Sequence, residues 1–252
     1  MEFSVGTTGS EVTRNAVLAA EEHRVKVSLR SPLMLPRIAL IDPVLTHTVP
    51  PAVTASTGLD ALTQVIEPFV SNKSNPLTDG ICREAMGRAA RSLRRAYEDG
   101  DDAEARHDMA LASLFGGLAL ANAALGAVHG FAGPAGGMFG APHGALCARF
   151  LPFVMEGNVA ALRSRDPDSA VLPRFDEVAR ILTGRPEASA EDGIAWVIGM
   201  CDELAVPRLS ACGLSEAHFD TLTDRAAAAS SMKGNPIELA RDELLEIVRR
   251  AL

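Results

Sequence analysis

Met109–Val128 reads MALASLFGGLALANAALGAV, twenty positions without a charged residue. That is long enough to span a bilayer. Yet the run is mostly alanine, glycine and leucine, holds Ser113 and Asn122, and lacks an aromatic belt or a basic flank. A helix apolar on every side is also what occupies the centre of a helical domain. The run is therefore expected to form a buried core helix, from about Ala103 to Val128, and not to enter a membrane.

Upstream of it, Ser56-Thr57-Gly58 leads into LDALTQVIEPFV (59–70), with Leu59, Leu62, Val65, Ile66 and Phe69 at helical spacing. Pro68 is expected to end or bend this helix. Asn75-Pro76 opens the next one, proline falling in the first turn where its missing N–H is harmless. EDGDD (98–102) closes it beyond Tyr97. Downstream, HGFAGPAGGMFGAPHG (129–144) is a ladder of glycine and proline and is expected to be irregular. Helix resumes from about Ala145, and further helices are expected at 173–182, 189–204, 215–230 and 241–251. Ser189 to Asp192 resembles a capping box. The last helix is expected to bury Leu244, Leu245, Val248 and Leu252.

Before Pro50-Pro51 the composition changes. Short β-branched runs, Val12–Val17, Val25–Leu29 and Ile38–Ile41, alternate with turn residues, as strands do. An isolated set of such strands has unmet edges and is too small for a domain of its own. The fold class expected is mainly α: an all-helical domain over 50–252, preceded over 1–49 by a short α/β remnant of a larger unit.

The 252 residues are 47% hydrophobic and 22% charged, which suits a real core and excludes wholesale disorder. A formal net charge of -8 argues against a nucleic-acid partner, since phosphate recognition needs a clustered basic surface. Arg83, Arg88, Arg91, Arg94 and Arg95 instead suggest a solvated helix face with acidic partners. Cys82, Cys147, Cys201 and Cys212 show no CxxC spacing and suggest small buried hydrophobes of a reducing compartment. MEFSVGTTGS carries no secretory pattern, so a cytoplasmic location is expected.

Among the six histidines, His23 and His107 sit among charges, His218 at a polar helix start and His47 in a loop. His129 and His143 differ: both are embedded in apolar, glycine-rich sequence, fourteen residues apart. Burying an imidazole costs free energy unless it is hydrogen-bonded or bound to something. Asp60 lies just past Gly58 among apolar neighbours, and Gln64 at i+4 shares its face. One carboxylate and two imidazoles from separate segments form a divalent-metal set, with the Gln64 carboxamide oxygen as a weak neutral fourth donor. The bland alternatives are hydrogen-bonded core histidines and an aspartate facing a helix dipole.

TTGSEVT (7–13), DPVLTHTVPPAVTASTGLDALTQVIEPFVS (42–71), NPLTD (75–79) and HGFAGPAGGMFGAPHG (129–144) are similar, in order, to the iron-containing (group III) alcohol dehydrogenases. Maleylacetate reductases and glycerol dehydrogenase are relatives. The resemblance covers essentially the whole chain. It implies an N-terminal α/β domain that binds NAD or NADP and a helical domain that holds Fe2+ or Zn2+ in the cleft. It also implies a small alcohol, aldehyde or oxo-acid as substrate, and a homo-oligomer. Most members bind the metal through an aspartate, a histidine four residues later, and two histidines fourteen apart. Asp60, His129 and His143 match three of these, while Gln64 stands at the second position. A further family histidine near the substrate is replaced by Gly133, which enlarges the pocket and removes a titratable group. Phe131, Phe139 and Phe153 are candidates for the pocket wall, with core packing expected for at least two of them. Thr8, Ser10, Lys26 and Leu45 fall where the family lines its cofactor. No residue is assigned as catalytic acid or base.

Neither GxGxxG nor GxxxxGK[ST] occurs, and the family's GGGS phosphate loop has no counterpart. The chain is thus expected to begin inside the cofactor domain. The function implied is an NAD(P)-dependent oxidoreductase in which a divalent metal polarises the substrate's alcohol or carbonyl oxygen. Two alternatives stand beside it: a metal-independent oxo-acid reductase of the maleylacetate type, and a catalytically incompetent helical fragment.

Overall fold

In the computed structural model, which describes residues 9–23 and 25–252, the helical part starts directly at Pro50-Pro51. Helix α1 (Pro51–Val70) carries proline in its first turn and Pro68 in its last, where the helix stops as expected. Helix α2 (Pro76–Glu98) starts from a capping box, Asn75 accepting from the Thr78 N–H while Thr78 accepts in return. Helix α3 (Ala103–Ala123) packs with both. Leu59, Leu62, Ile66, Phe69, Met86 and Leu93 are buried in the shared core. The arginine face of α2 behaves as read from the sequence: Arg83 pairs with Glu177, Arg94 with Glu203, and Arg95 with Asp102.

Two expectations around the core helix are corrected. Helix α3 does not run to Val128: it stops at Ala123, Ala124 adopts φ 61°, and the chain bends by 104°. The glycine ladder is not irregular, because its first part forms helix α4 (Ala127–Phe139). The caps of α4 come from far away. Ala127 N–H donates to Asn235 Oδ1 at 3.1 Å and Val128 N–H to Glu67 Oε1 at 2.7 Å. Orphan N–H groups of a first turn need such partners, and nothing next to Ala127 in sequence supplies them. Glycine's low helix propensity, about 1 kcal/mol per residue, is overridden here by close packing: a Cβ on Gly130 would sit 2.7 Å from Met232 Cε.

Helix α5 (His143–Arg165) also begins earlier than expected, at His143 rather than Ala145. It is long and apolar enough to cross a membrane by length and composition, and 72% of its most apolar window is buried inside the protein. Gly144 sets its position. A Cβ there would lie 2.2 Å from the Ser56 carbonyl oxygen of α1, so the two helices touch backbone to backbone. Gly144→Ala is expected to force them apart and to destabilise the fold by about 1–3 kcal/mol. A lower urea midpoint in circular dichroism checks this, and an unchanged midpoint would contradict it.

Helices α6 (Leu172–Thr183) and α7 (Ala190–Glu203) follow, the latter from the Ser189–Asp192 capping box read in the sequence. Helix α8 (Phe219–Ala227) is shorter than the segment expected, being flanked by 3-10 turns at Glu216–His218 and Ser230–Gly234. Helix α9 (Arg241–Ala251) buries Leu244, Ile247, Val248 and Ala251. Leu245 and Leu252 are only partly buried, because the helix is rotated slightly from the expected face.

Among the described residues the N-terminal part holds one antiparallel pair, β1 (Asn15–Ala20) with β2 (Val25–Arg30), Ala16 opposite Leu29. Val12 belongs to a 3-10 turn, so the first strand starts later than its β-branched run. Ile38–Ile41 is not a strand: no neighbour pairs with it among the described residues, and Ile38 and Leu40 are 85% and 89% exposed. Strand β2 rests on α4, which brings the N-terminal part to the edge of the site described next.

Candidate metal centre

Three helices meet at one point. Helix α1 contributes Asp60, Gln64 and Glu67, whose spacing of four and three residues puts them on one face. Helix α4 contributes His129 from its first turn, and α5 contributes His143 as its first residue. One turn further along α5, Cys147 faces the same way. A donor atom from each of Asp60, His129, His143 and Cys147 lies within 4.8 Å of the others. The rings of His129 and His143 are 5.3 Å apart, centroid to centroid.

Protons decide what this arrangement can hold. His129 Nδ1 lies 2.6 Å from Glu67 Oε2. A carboxylate can only accept, so Nδ1 carries the hydrogen and Nε2 turns inward. There it meets Asp60 Oδ1 at 3.4 Å, an oxygen buried without a hydrogen-bond partner. An orphaned carboxylate oxygen facing a ring nitrogen, both out of water, calls for a cation between them, a proton or a metal ion. The residues therefore fit a divalent ion.

The titration tendencies agree. Burial is the largest influence on His129 and disfavours its charged form, but the Cys147 sulfur and the carboxylates of Glu67 and Asp60 outweigh it, raising the imidazole well above its ordinary range. Burial likewise opposes ionisation of Asp60, but His129, His143 and Gln64 overcome this and lower it. His143 is lowered by burial, and the Cys147 thiol is pushed up to about 12 by burial. The pocket is thus poised to hold positive charge.

Of the residues singled out from sequence, Asp60, His129 and His143 come together, and Gln64 is buried beside them with its Oε1 unpartnered. Gly133 opens onto free space: a Cβ there would meet nothing within 4 Å. Phe131 is 0% exposed and stacked on Phe150 at 5.0 Å, as the core packing expected for at least two of the three phenylalanines would have it. Phe139 packs edge-on against His218, and Phe153 lies under the Arg250 guanidinium. Lys26 reaches α4, its Nζ 3.1 Å from where a Gly136 Cβ would stand. Ser10 and Leu45 lie on exposed 3-10 turns, and Thr8 falls outside the described residues.

Sequence reasoning missed Glu67 and Cys147. Both carried a signal: a carboxylate two turns after Asp60 in an otherwise apolar run, and a thiol one turn after His143. Glu67 has two tasks, capping α4 and orienting His129. Glu67→Ala is expected to weaken metal binding about 10–100-fold, as loss of a histidine's carboxylate partner does elsewhere. A zinc titration against a competing chelator checks it, and unchanged affinity would show that the ring is held by other means.

A family model described as Fe-containing alcohol dehydrogenase family, C-terminal, matches residues 54–252. The chain is 35% identical over 246 residues to alcohol dehydrogenase 4 of Schizosaccharomyces pombe, covering 97% of this chain and 56% of that protein. It is 36% identical over 246 residues to 1,3-propanediol dehydrogenase of Klebsiella pneumoniae, covering 97% and 62% respectively. A crystal structure of 1,3-propanediol oxidoreductase superposes with a TM-score of 0.89 at 34% identity, over 98% of this chain and 64% of that one. An iron-containing alcohol dehydrogenase from Thermococcus thioreducens does so with a TM-score of 0.85 at 30% identity, over 97% and 62%. The chain spans about 60% of the length of these relatives.

Proposed function

The chain belongs to the iron-containing alcohol dehydrogenase family, and on that premise we propose that it is the metal- and substrate-holding part of an NAD(P)-dependent oxidoreductase acting on a small alcohol or aldehyde. Asp60, His129 and His143 would hold a divalent ion, Fe2+ or Zn2+, with Gln64 beside them. Such an ion, when bound, supplies a Lewis acid for the substrate oxygen.

The rest falls to the protein. Glu67 accepts from His129 Nδ1 and so turns Nε2 toward the site. The buried surroundings of Asp60 and Cys147 exclude water, which strengthens the charge interactions within. The space beside Gly133 gives the substrate room. A nicotinamide cofactor, when bound, would supply the hydride chemistry, and this chain's residues would position the substrate for it. Residues 1–49, with Thr8, Ser10, Lys26 and Leu45, serve the cofactor, and residues 50–252 serve metal and substrate. The Lys26 ammonium lies near enough to His143 to disfavour that ring's charged form, which supports a cofactor side bordering the metal side. The protein works as a cytoplasmic homo-oligomer.

The observation that carries this reading is the unpartnered Asp60 Oδ1 facing His129 Nε2 within a four-residue donor cluster. It is tested by mixing the zinc- or iron-loaded chain with NAD+ or NADP+ and 1,3-propanediol. The expected result is NAD(P)H formation that a chelator abolishes. Absence of both turnover and NADH binding would contradict it.

A further inference from the structure

Resting on the metal reading above, we propose that Cys147 is a fourth protein ligand, so that the site takes a thiophilic divalent ion of the zinc kind in preference to a hard one. The Cys147 sulfur lies 3.6 Å from His143 Nε2 and 3.8 Å from His129 Nε2. Asp60 Oδ1 lies 3.4 Å from His129 Nε2. A tetrahedral zinc ion with ordinary bond lengths has ligand-to-ligand edges of about 3.4 Å between nitrogen and oxygen and about 3.6 Å between nitrogen and sulfur. The three separations thus already approximate edges of that polyhedron, and all four donor atoms fall within 4.8 Å of one another.

The chemistry of the donors points the same way. Cys147 is fully buried, and its sulfur faces the two ring nitrogens. Gln64 offers only a neutral carboxamide oxygen, whereas a thiolate is an anionic, soft donor that selects zinc-like ions over magnesium- or manganese-like ones. On binding, the sulfur–hydrogen bond breaks, its proton goes to solvent, and the sulfur electron pair forms the bond to the metal, with no change in oxidation state.

Co2+ substituted for zinc reports the ligand directly, because sulfur ligation adds a near-ultraviolet charge-transfer absorption that nitrogen and oxygen donors lack. The full chain is expected to bind Co2+ stoichiometrically with that absorption. Cys147→Ser should lose the absorption and bind Zn2+ at least about tenfold more weakly. A variant with Cys82, Cys201 and Cys212 all replaced by alanine should keep it, which assigns the sulfur even if Cys147→Ser fails to fold. Stoichiometric Co2+ without the absorption, or an absorption that survives Cys147→Ser or vanishes from the triple variant while metal stays bound, overturns Cys147 ligation and leaves the metal site standing. Failure to bind Co2+ at all overturns both.

Discussion

His143→Ala is expected to abolish metal retention while leaving helical content nearly intact. His143 opens α5, so its imidazole holds no interior turn together, and alanine is the residue best tolerated in a helix. The helix itself is anchored elsewhere, by the backbone contact at Gly144 and the buried Leu146, Phe150 and Leu151. What disappears is a nitrogen donor from a cluster whose members stand within 4.8 Å of each other. Even removal of an outlying partner of a metal ligand weakens binding about 10–100-fold, so loss of a ligand should exceed that. Metal content after dialysis against a weak chelator, with circular dichroism alongside, is the check. Unchanged metal content in a folded variant would refute the assignment of His143.

The second large effect lies away from the site. Asp108 of α3 is buried and accepts from four donors of α2: Arg88 Nη1 at 2.6 Å, Arg91 Nε at 2.8 Å, Arg91 Nη2 at 3.0 Å and Ser92 Oγ at 2.7 Å. Asp108→Ala would leave Arg88, itself mostly buried, without this carboxylate. Arg88 keeps its pair with Glu84 and Arg91 is half exposed, so breaking the network from one side costs about 1–3 kcal/mol. The effect depends on pH in a definite direction. Burial opposes ionisation of Asp108, but Ser92, Arg91 and Arg88 outweigh it and lower the carboxyl below its ordinary 3.8. A folded-state value below the unfolded one means that the stabilisation is present above the unfolded value and is lost as pH falls through the folded one. Urea titrations of both proteins should therefore show a wide gap at neutral pH that narrows in acid. An equal gap at both would show that the carboxylate's charge plays no part.

How far the sequence could be read depended on how local the cause was. The capping boxes at Asn75 and Ser189 and the apolar spacing of α1 are written in neighbouring residues, and they were legible. Asp60, His129 and His143 were legible as polar groups out of place in apolar sequence. Helix α4 was not, because its first N–H groups are satisfied by Glu67 and Asn235, distant in sequence. Two of its glycines, read as breakers, are where side chains approach closely: Met232 at Gly130 and Lys26 at Gly136. Ile38–Ile41 shows the converse: β-branched residues favour a strand only where a partner strand pairs with them, and among the described residues none does. Cys147 passed for a small hydrophobe because burial of a thiol is ordinary. Only the helical register that sets it one turn after His143, against His129, distinguishes it from Cys82 and Cys201.

Anomalous X-ray scattering from zinc-loaded crystals tests the centre most directly. The expected result is a strong peak among α1, α4 and α5, within about 2.0–2.3 Å of an Asp60 oxygen and of the inward nitrogens of His129 and His143. Zinc bound only elsewhere on the chain, or no ordered zinc at all, would contradict the account.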